Sequence, residues 1–396
     1  MGENKLKRIC MIAQASYPAD PRIRREAEAL EKVGWEVDIL CRPSGKQPKV
    51  EKFSNITAYR VAKAPSQEKL IKWIYYSSLF FIKSFWKVQF LSLKRKYDII
   101  HVHNLPDFLV FTATLQKLYG IPIILDLHDL SVELFRSKWQ NKIGGALLNI
   151  IRVIEHFSCK FADHIITTSE GFANNLVSRG ISKNKITIIY NTPLSKHFYF
   201  NNNREYSRIK NNATLLYHGT VSKRFGIDFV IKALPLIHQC VPGTKFIIFG
   251  KYDKKYKEEL ENIAKELNVS NYVIFNGIIP IEKVLKEINS ADFGMVPYIK
   301  DEFMDLALST KGFEYAASGL PVIASDLKPM RNIFDENSIT YTIPSDHKDI
   351  ASKIIQLCDN PLVRKDKAIN ANNAISGISW DLMEKKYYDL INRLVD

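Results

Sequence analysis

Residues 9–41 read ICMIAQASYPADPRIRREAEALEKVGWEVDILC. Ile9-Cys10-Met11-Ile12-Ala13 is a short apolar run without alternation, the pattern of a strand buried on both faces. Tyr17-Pro18-Ala19-Asp20 breaks it. From Pro21 the spacing changes. Ile23, Ala27, Leu30 and Val33 recur every three or four residues and Gly34 follows, which predicts a helix over 21–33. Residues 37–41 are apolar again. Strand, helix and strand in this order make a βαβ unit, and such units build parallel sheets.

The same rhythm continues outward. Further apolar runs occupy 98–102, 121–125, 164–168 and 185–190, with helical stretches between them. Residues 194–212 are polar, Asn-rich and without apolar periodicity, which predicts a linker. The pattern then restarts, with runs at 213–217, 245–249, 272–275, 293–296 and 321–324. The expectation is an α/β chain of two doubly wound domains: residues 1–193, then the linker 194–212, then 213–375. A C-terminal helix over 376–396 carries Trp380, Leu382, Tyr387, Tyr388 and Leu390. Ligands of doubly wound sheets sit beyond the carboxyl ends of the strands, so two such domains are expected to face a central cleft holding the site.

Composition limits the possibilities. The chain has 396 residues, long enough for two domains, with 46% hydrophobic and 25% charged residues, which excludes a disordered chain. Cys10, Cys41, Cys159, Cys240 and Cys358 lie far apart without a CxxC pair, so neither a disulfide framework nor a structural zinc ribbon is expected. The polar opening before Ile9 is unlike a secretory leader, and no 18-residue apolar stretch exists, so a cytoplasmic protein is expected. The net charge is +14. That suits nucleic acid, an anionic membrane or a phosphorylated substrate. No helix-turn-helix, zinc-finger or RNA-binding signature appears, so nucleic acid is not the expected partner. Neither GxGxxG nor GxxxxGK[ST] is present, which argues against a dehydrogenase and a P-loop ATPase. No Asp-x-Asp pair occurs to clip a divalent metal onto a diphosphate. No dinucleotide cofactor is therefore expected, and phosphate is left to Lys, Arg and backbone N–H groups.

Ser309-Thr310-Lys311-Gly312-Phe313-Glu314-Tyr315-Ala316-Ala317-Ser318-Gly319 reads as a helix with a Ser/Thr cap and a glycine stop, and Leu320 to Ser325 as a buried strand. A helix N-terminus carrying Ser, Thr and Lys attracts phosphate. Glu314, three residues past Lys311, shares its face and suits ribose hydroxyls. Alone, the pair also fits an exposed surface helix. This segment resembles the sugar-nucleotide signature of retaining glycosyltransferases of the GT-B fold, family GT4. Tyr217-His218-Gly219-Thr220 with Lys223-Arg224-Phe225-Gly226, Asn276-Gly277, and Ala291-Asp292-Phe293-Gly294-Met295-Val296-Pro297-Tyr298 are similar to other segments of that family's donor domain. Asp20-Pro21-Arg22-Ile23-Arg24-Arg25-Glu26, residues 98–104 and Asp126-Leu127-His128-Asp129 resemble its acceptor domain.

The resemblance implies two Rossmann-like domains. It also implies transfer of a sugar from a UDP-, GDP- or ADP-linked donor, with retention and without metal, to a lipid-linked or glycan acceptor of cell-surface polysaccharide. Such an enzyme would sit peripherally at the inner face of the cell membrane, its last helix packed back on the first domain. Catalytic roles fall to His128, Glu314, Lys311 and Arg224. Donor contacts fall to Gly219, Thr220, Arg224, Asn276, Gly277, Pro297, Ser309, Thr310, Lys311 and Glu314, and acceptor contacts to His103, Asn104, Tyr17 and Arg22. Three departures stand out. Leu306 replaces a glutamate eight residues before Glu314, with Asp305 and Asp301 as substitutes. Thr220 takes the place of a basic residue, with Arg224 beside the second. Gln14-Ala15-Ser16-Tyr17 replaces a glycine pair. These leave open a nucleotide-sugar epimerase of the same fold and a non-catalytic subunit.

Two features remain. His101 and His103 point the same way on a strand, but a metal would need further ligands and the sequence names none. Residues 66–96 hold seven basic residues, one acid and eight aromatics. Lys69, Lys72, Lys83, Lys87 and Lys94 fall in one helical sector, with Trp73, Phe80, Phe81, Phe85, Trp86 and Phe90 around the rest. Such a helix fits an anionic membrane interface, or a domain helix with its apolar face in the core.

Overall fold

The computed structural model describes residues 6–62, 70–139 and 144–396; Lys69 lies outside the described residues. Two units form, one from Met1–Tyr190 with Met383–Asp396 and the other from Asn191–Leu382.

The first unit holds β1 (Arg8–Ser16), β2 (Glu36–Arg42), β3 (Val50–Phe53), β4 (Ile56–Arg60), β5 (Ile99–His103), β6 (Ile123–Leu127), β7 (His164–Thr167) and β8 (Ile186–Ile188). They order as β3-β4-β2-β1-β5-β6-β7-β8, parallel except for the β3–β4 hairpin. The second unit holds β9 (Thr214–His218), β10 (Lys245–Phe249), β11 (Val273–Asn276), β12 (Phe293–Val296), β13 (Val322–Ser325) and β14 (Thr340–Thr342). Their order is β11-β10-β9-β12-β13-β14, parallel throughout. In each sheet the chain leaves a central strand in one direction and returns to build the other. The reversals fall between β1 and β5 and between β9 and β12, where doubly wound sheets bind ligands.

The first βαβ unit shows why the local sequence folds this way. The Asp20 side chain accepts from the Arg22 N–H and caps the helix Pro21–Lys32, with Pro21 in the first turn, where its missing N–H costs nothing. Ile23, Ala27 and Leu30 are buried, but Val33 is 55% exposed, because the buried stripe runs through Arg25, Glu26 and Ala29 instead. β6 starts two residues later than the apolar run. Pro122 cannot donate to the ladder, although its carbonyl accepts from the Ile100 N–H. The 185–190 run shortens to Ile186–Ile188.

Residues 194–212 belong to the second unit and are tied to it. Arg204 donates to the Ala291 and Ile288 carbonyls at 2.6 Å each, and the Tyr206 hydroxyl donates to the Gly319 carbonyl. The last helix, Trp380–Val395, begins in the second unit and runs on into the first. There Tyr387 is fully buried with its hydroxyl 2.9 Å from His101 Nδ1, and Glu384 pairs with Lys32.

Gly294 in β12 lies under the ring of Tyr315, and a Cβ there would come within 2.4 Å of it. Gly294→Ala is expected to lose about 1–3 kcal/mol by overpacking, a fall in Tm of several degrees by thermal shift. Gly377→Ala, with nothing within 4 Å, is expected to leave Tm unchanged.

Candidate functional site

In the second unit the polar groups gather at the carboxyl ends of β9, β10, β11 and β12. The Gly219 N–H donates to the Phe249 carbonyl, and the Gly250 N–H reaches the Asn276 and Gly277 carbonyls. The turns after three strands are thereby joined. Gly219 has φ +116, and a Cβ on it would lie 2.6 Å from Lys311 Cε. Gly226 has φ +61, and a Cβ there would lie 1.9 Å from the Pro297 carbonyl. Only glycine satisfies either position. The loop bearing Arg224 is thus pressed onto the segment after β12, and the Ile299 N–H donates to the Arg224 carbonyl. The Arg224 guanidinium lies over the Phe303 ring.

Ser309 caps the helix Thr310–Ala317 by accepting from the Gly312 N–H, and the Tyr298 hydroxyl lies 3.0 Å from its Oγ. Lys311, in the first turn, is buried. Its ammonium donates to the Tyr298 hydroxyl at 3.1 Å and lies 4.9 Å from the Phe225 ring centre, 5.2 Å from Tyr217 and 5.6 Å from Tyr298. Among the described residues no carboxylate pairs with it. Glu314 follows one turn later, with Oε2 2.7 Å from His218 Nε2. His218 stacks on Tyr315. Burial, with the Lys311 charge, pushes its imidazole down to about 3. The contact therefore sets a neutral imidazole against the Glu314 carboxylate, which fixes the direction of Glu314.

The structure brings Gly219, Arg224, Pro297, Ser309, Thr310, Lys311 and Glu314 to this end of the sheet. Thr220 is exposed, and its carbonyl accepts from the Tyr217 hydroxyl. Asn276 and Gly277 join through Gly250 rather than by contact with Lys311. Of the two acids considered in place of Leu306, Asp301 accepts from the Phe303 and Met304 N–H groups and so holds a turn. His218 and Tyr298 stand inside the quoted motifs, but sequence reasoning gave them no role. Both end or follow a strand, and an aromatic at a strand's carboxyl end was the available signal.

In the first unit the corresponding strand ends carry Asp20, Arg22, His103, Asn104, Asp126 and His128. Arg22 and Asp20 form a two-point pair. Burial opposes ionisation of Asp20, but the Arg22 guanidinium wins and holds its carboxyl well below the usual range. His128 Nδ1 is 3.9 Å from Asp126 Oδ1. Burial, and then the Arg22 charge, pushes His128 down to about 3, so it is a neutral imidazole. Three expected acceptor residues turn inward. Tyr17 packs edge-on against Phe53, and His103 Nδ1 lies 3.2 Å from Asp126 Oδ2. Asn104 commits its amide hydrogens to Asp107 and the Asp129 carbonyl. All three are almost fully buried. Arg22 retains 29% side-chain exposure.

Residues 22–192 match the model of Glycosyltransferase Family 4, and residues 212–360 match that of the Glycosyl transferases group 1. The chain thus carries a glycosyltransferase family 4 domain followed by a glycosyl transferases group 1 domain. An uncharacterized glycosyltransferase of Methanocaldococcus jannaschii is 24% identical, covering 95% of this chain and 96% of its own. The alpha-galactosylglucosyldiacylglycerol synthase of Streptococcus pneumoniae is 25% identical over 70% of this chain and 72% of its own. Sucrose-phosphate synthase from Thermosynechococcus elongatus superimposes with a TM-score of 0.80 at 19% identity, covering 98% and 99% of the two chains. Anabaena HepE in complex with UDP and glucose gives 0.73 at 15%, covering 98% and 100%. The fold of this glycosyltransferase is thus GT-B.

His128 and His218 exclude a proton that the unfolded chain accepts near pH 6.5. Their contribution to stability is present above that pH and is lost as pH falls toward 3. Between pH 7 and pH 5 the Tm of His218→Asn is expected to fall less, or rise more, than that of the wild type, followed by scanning fluorimetry.

Proposed function

We propose that this glycosyltransferase moves a sugar from a nucleoside-diphosphate sugar to a lipid-linked or glycan acceptor of cell-surface polysaccharide, with retention. No metal is needed on the diphosphate. The observation that carries the reading is the buried Lys311 ammonium at a helix N-terminus, faced by aromatic rings and without a carboxylate partner among the described residues. A charge kept in that state suits an anion that arrives as substrate.

The donor binds the second unit. Lys311 and Arg224 neutralise the diphosphate as its bond to the sugar breaks, which is electrostatic stabilisation of the developing charge. Gly219 lets a phosphate approach the backbone, with Thr220, Ser309 and Thr310 as polar neighbours. Glu314, aimed by His218, accepts from ribose hydroxyls. Asn276, Gly277 and Pro297 shape the same end of the sheet. The acceptor binds the first unit, where Arg22 contacts it and Tyr17, His103 and Asn104 support that end from within. His128, neutral at pH 7, hydrogen-bonds the transferred sugar. UDP is the first nucleotide to test, because the Anabaena HepE structure is a complex with UDP and glucose; GDP and ADP are the alternatives.

A membrane surface belongs to the reading. Among the described residues no helix is long and apolar enough to cross a membrane. The helix Leu70–Lys94 buries Ser77, Phe80, Ser84, Val88 and Leu91. Its opposite face exposes Ile71, Tyr75, Ile82, Trp86 and Leu93, with Leu93 at 88%. Lys72, Lys83, Lys87 and Lys94 each follow one of these by a single residue, so they flank the stripe. A second helix, Gly145–Phe161, exposes Ile150, Val153 and Phe157. Both helices rest on the segment Asp107–Ala113, through Phe81 on Phe108 and Phe161 on Phe111. Exposed apolar rows flanked by lysines match the interface of an anionic bilayer. The lipid product in the name of the S. pneumoniae relative agrees with an acceptor held there. The inner face of the cell membrane is the proposed location.

Purified protein given UDP-, GDP- and ADP-linked hexoses is expected to gain several degrees in Tm with one base. It is expected to release that nucleoside diphosphate at a rate that added Mg²⁺ or Mn²⁺ does not raise. Glu314→Gln is expected to lower kcat/KM by about 100-fold. A thermal response to none of the nucleotides, or turnover that requires an added divalent ion, would contradict the proposal. For the membrane, flotation with phosphatidylglycerol-containing vesicles is expected to carry the protein. Pure phosphatidylcholine, or the double variant Ile82→Glu/Trp86→Glu, is expected to cut binding at least about tenfold. Equal binding in all three cases would remove this face from the account.

A further inference from the structure

His101 and His103 lack obvious companions in sequence, and the fold supplies them. They sit two apart on β5 and point to the same side, with their rings 4.2 Å apart. Glu26 arrives from the helix Pro21–Lys32, and Asp126 sits beside His103 in the β5–β6 register. All four are buried, with His101 fully and Glu26 the most accessible at 6%. One ligand atom from each lies within 4.8 Å of the others. Glu26 Oε2 is 3.8 Å from His101 Nδ1 and 3.7 Å from His103 Nε2. On its other nitrogen, His103 is held by Asp126 Oδ2 at 3.2 Å.

Polar satisfaction points to a missing member. Glu26 Oε2, His103 Nε2, His101 Nε2 and Asp126 Oδ1 are buried without a hydrogen-bond partner. Buried polar atoms left in this state are unfavourable and demand an explanation. Two of the orphaned atoms, Glu26 Oε2 and His103 Nε2, face each other. A tetrahedral zinc ion with bonds of about 2.0–2.1 Å separates its ligand atoms by about 3.3 Å. The Glu26 Oε2–His103 Nε2 separation is a few tenths of an ångström wider, a gap that side-chain rotation closes, and His101 Nδ1, 3.8 Å from Glu26 Oε2, would exchange its Tyr387 hydrogen bond for the ion. Two imidazoles and two carboxylates packed this closely offer a divalent cation both nitrogen and oxygen donors.

We propose that Glu26, His101 and His103 bind a divalent transition-metal ion of the zinc class, with Asp126 fixing the His103 ring from its far nitrogen. Two imidazoles and a carboxylate are the donor set that suits zinc. A carboxylate on the other nitrogen of a ligating histidine is the usual outer support. Tyr387, whose hydroxyl lies 2.9 Å from His101 Nδ1, closes the site from the last helix. The ion ties the helix Pro21–Lys32, β5 and β6 together. Its site is built from first-unit residues alone and is separate from donor binding.

The test uses the full-length protein, stripped with a strong chelator and confirmed as folded by circular dichroism. Zn²⁺ titrated against a chromophoric indicator is expected to show one ion per chain at submicromolar Kd. Co²⁺ is expected to give the visible bands of a four-coordinate site with nitrogen and oxygen ligands. Glu26→Gln keeps the side-chain shape and is expected to abolish this uptake, and Asp126→Asn is expected to weaken it about 10- to 100-fold. Zn²⁺ is expected to raise the Tm of the stripped wild type and not that of Glu26→Gln. Folded wild type that takes up no stoichiometric Zn²⁺ or Co²⁺, or uptake unchanged in both variants, would overturn the proposal. Neither outcome depends on sugar transfer, so the metal site and the transferase reading fail or stand separately.

Discussion

The second unit is arranged around one ammonium group that has no opposing carboxylate among the described residues. Taking a lysine out of water without such a partner is unfavourable. Three aromatic ring faces and the Tyr298 hydroxyl offset part of that cost, each ring by about 0.5–2 kcal/mol in favourable geometry. The surrounding backbone is shaped to keep the group there. Gly219 leaves room for the Lys311 stem, Gly226 lets its loop meet the Pro297 carbonyl, and the capped helix adds its N-terminal field to the same place. A chain selected for stability alone would place a carboxylate or an apolar side chain there. The positive field is the functional device, and its upkeep is a load on the fold.

The first unit solves the opposite problem. Its strand ends bury acids and imidazoles that compensate one another. Burial raises Glu26 to about 8, while the hydrogen bond to Asp126, with the Glu26 charge, outweighs burial and raises His103. Arg22 pairs with Asp20 and, with burial, keeps His128 neutral. The outward faces of the helices Leu70–Lys94 and Gly145–Phe161 invert the usual order. Beside Phe80, Val88 and Leu91 these helices bury serines and Glu155, while their outward faces leave Ile, Trp, Val and Phe in the open. An exposed apolar row beside lysines makes sense against lipid and is a liability in water alone.

The strands at 9–13, 245–249 and 293–296 were legible because they are buried on both faces and read as unbroken apolar runs. The β3–β4 hairpin was not. The adjacent Glu51 and Lys52 interrupt the apolar pattern between Val50 and Phe53 at the sheet's edge, and the four- and five-residue strands leave no long run. β14, Thr340–Thr342, is short for the same test. In the site, Lys311 and Glu314 could be paired from their spacing alone, and Gly219 from its place after a strand. Glu26 could not be singled out. Among the glutamates of residues 21–33 it looks like any helix-surface acid, and only the tertiary placement of that helix against the sheet brings its side chain to the histidines of β5. Tyr17, His103 and Asn104 were placed correctly at strand ends, but which way each side chain turns is decided by tertiary partners: Phe53, Asp126 and Asp107.

The most direct test of the central claim is a pair of measurements on Lys311→Met: Tm of the free protein, and calorimetric Kd for the preferred nucleoside diphosphate. The account predicts that an apolar chain of similar length among those rings leaves Tm unchanged or higher. Affinity should weaken by about 100-fold or more, the range of a lost buried charge-assisted contact. A variant that melts much lower yet binds the diphosphate as tightly as wild type would contradict it, because Lys311 would then be a structural residue and the anion would be held elsewhere.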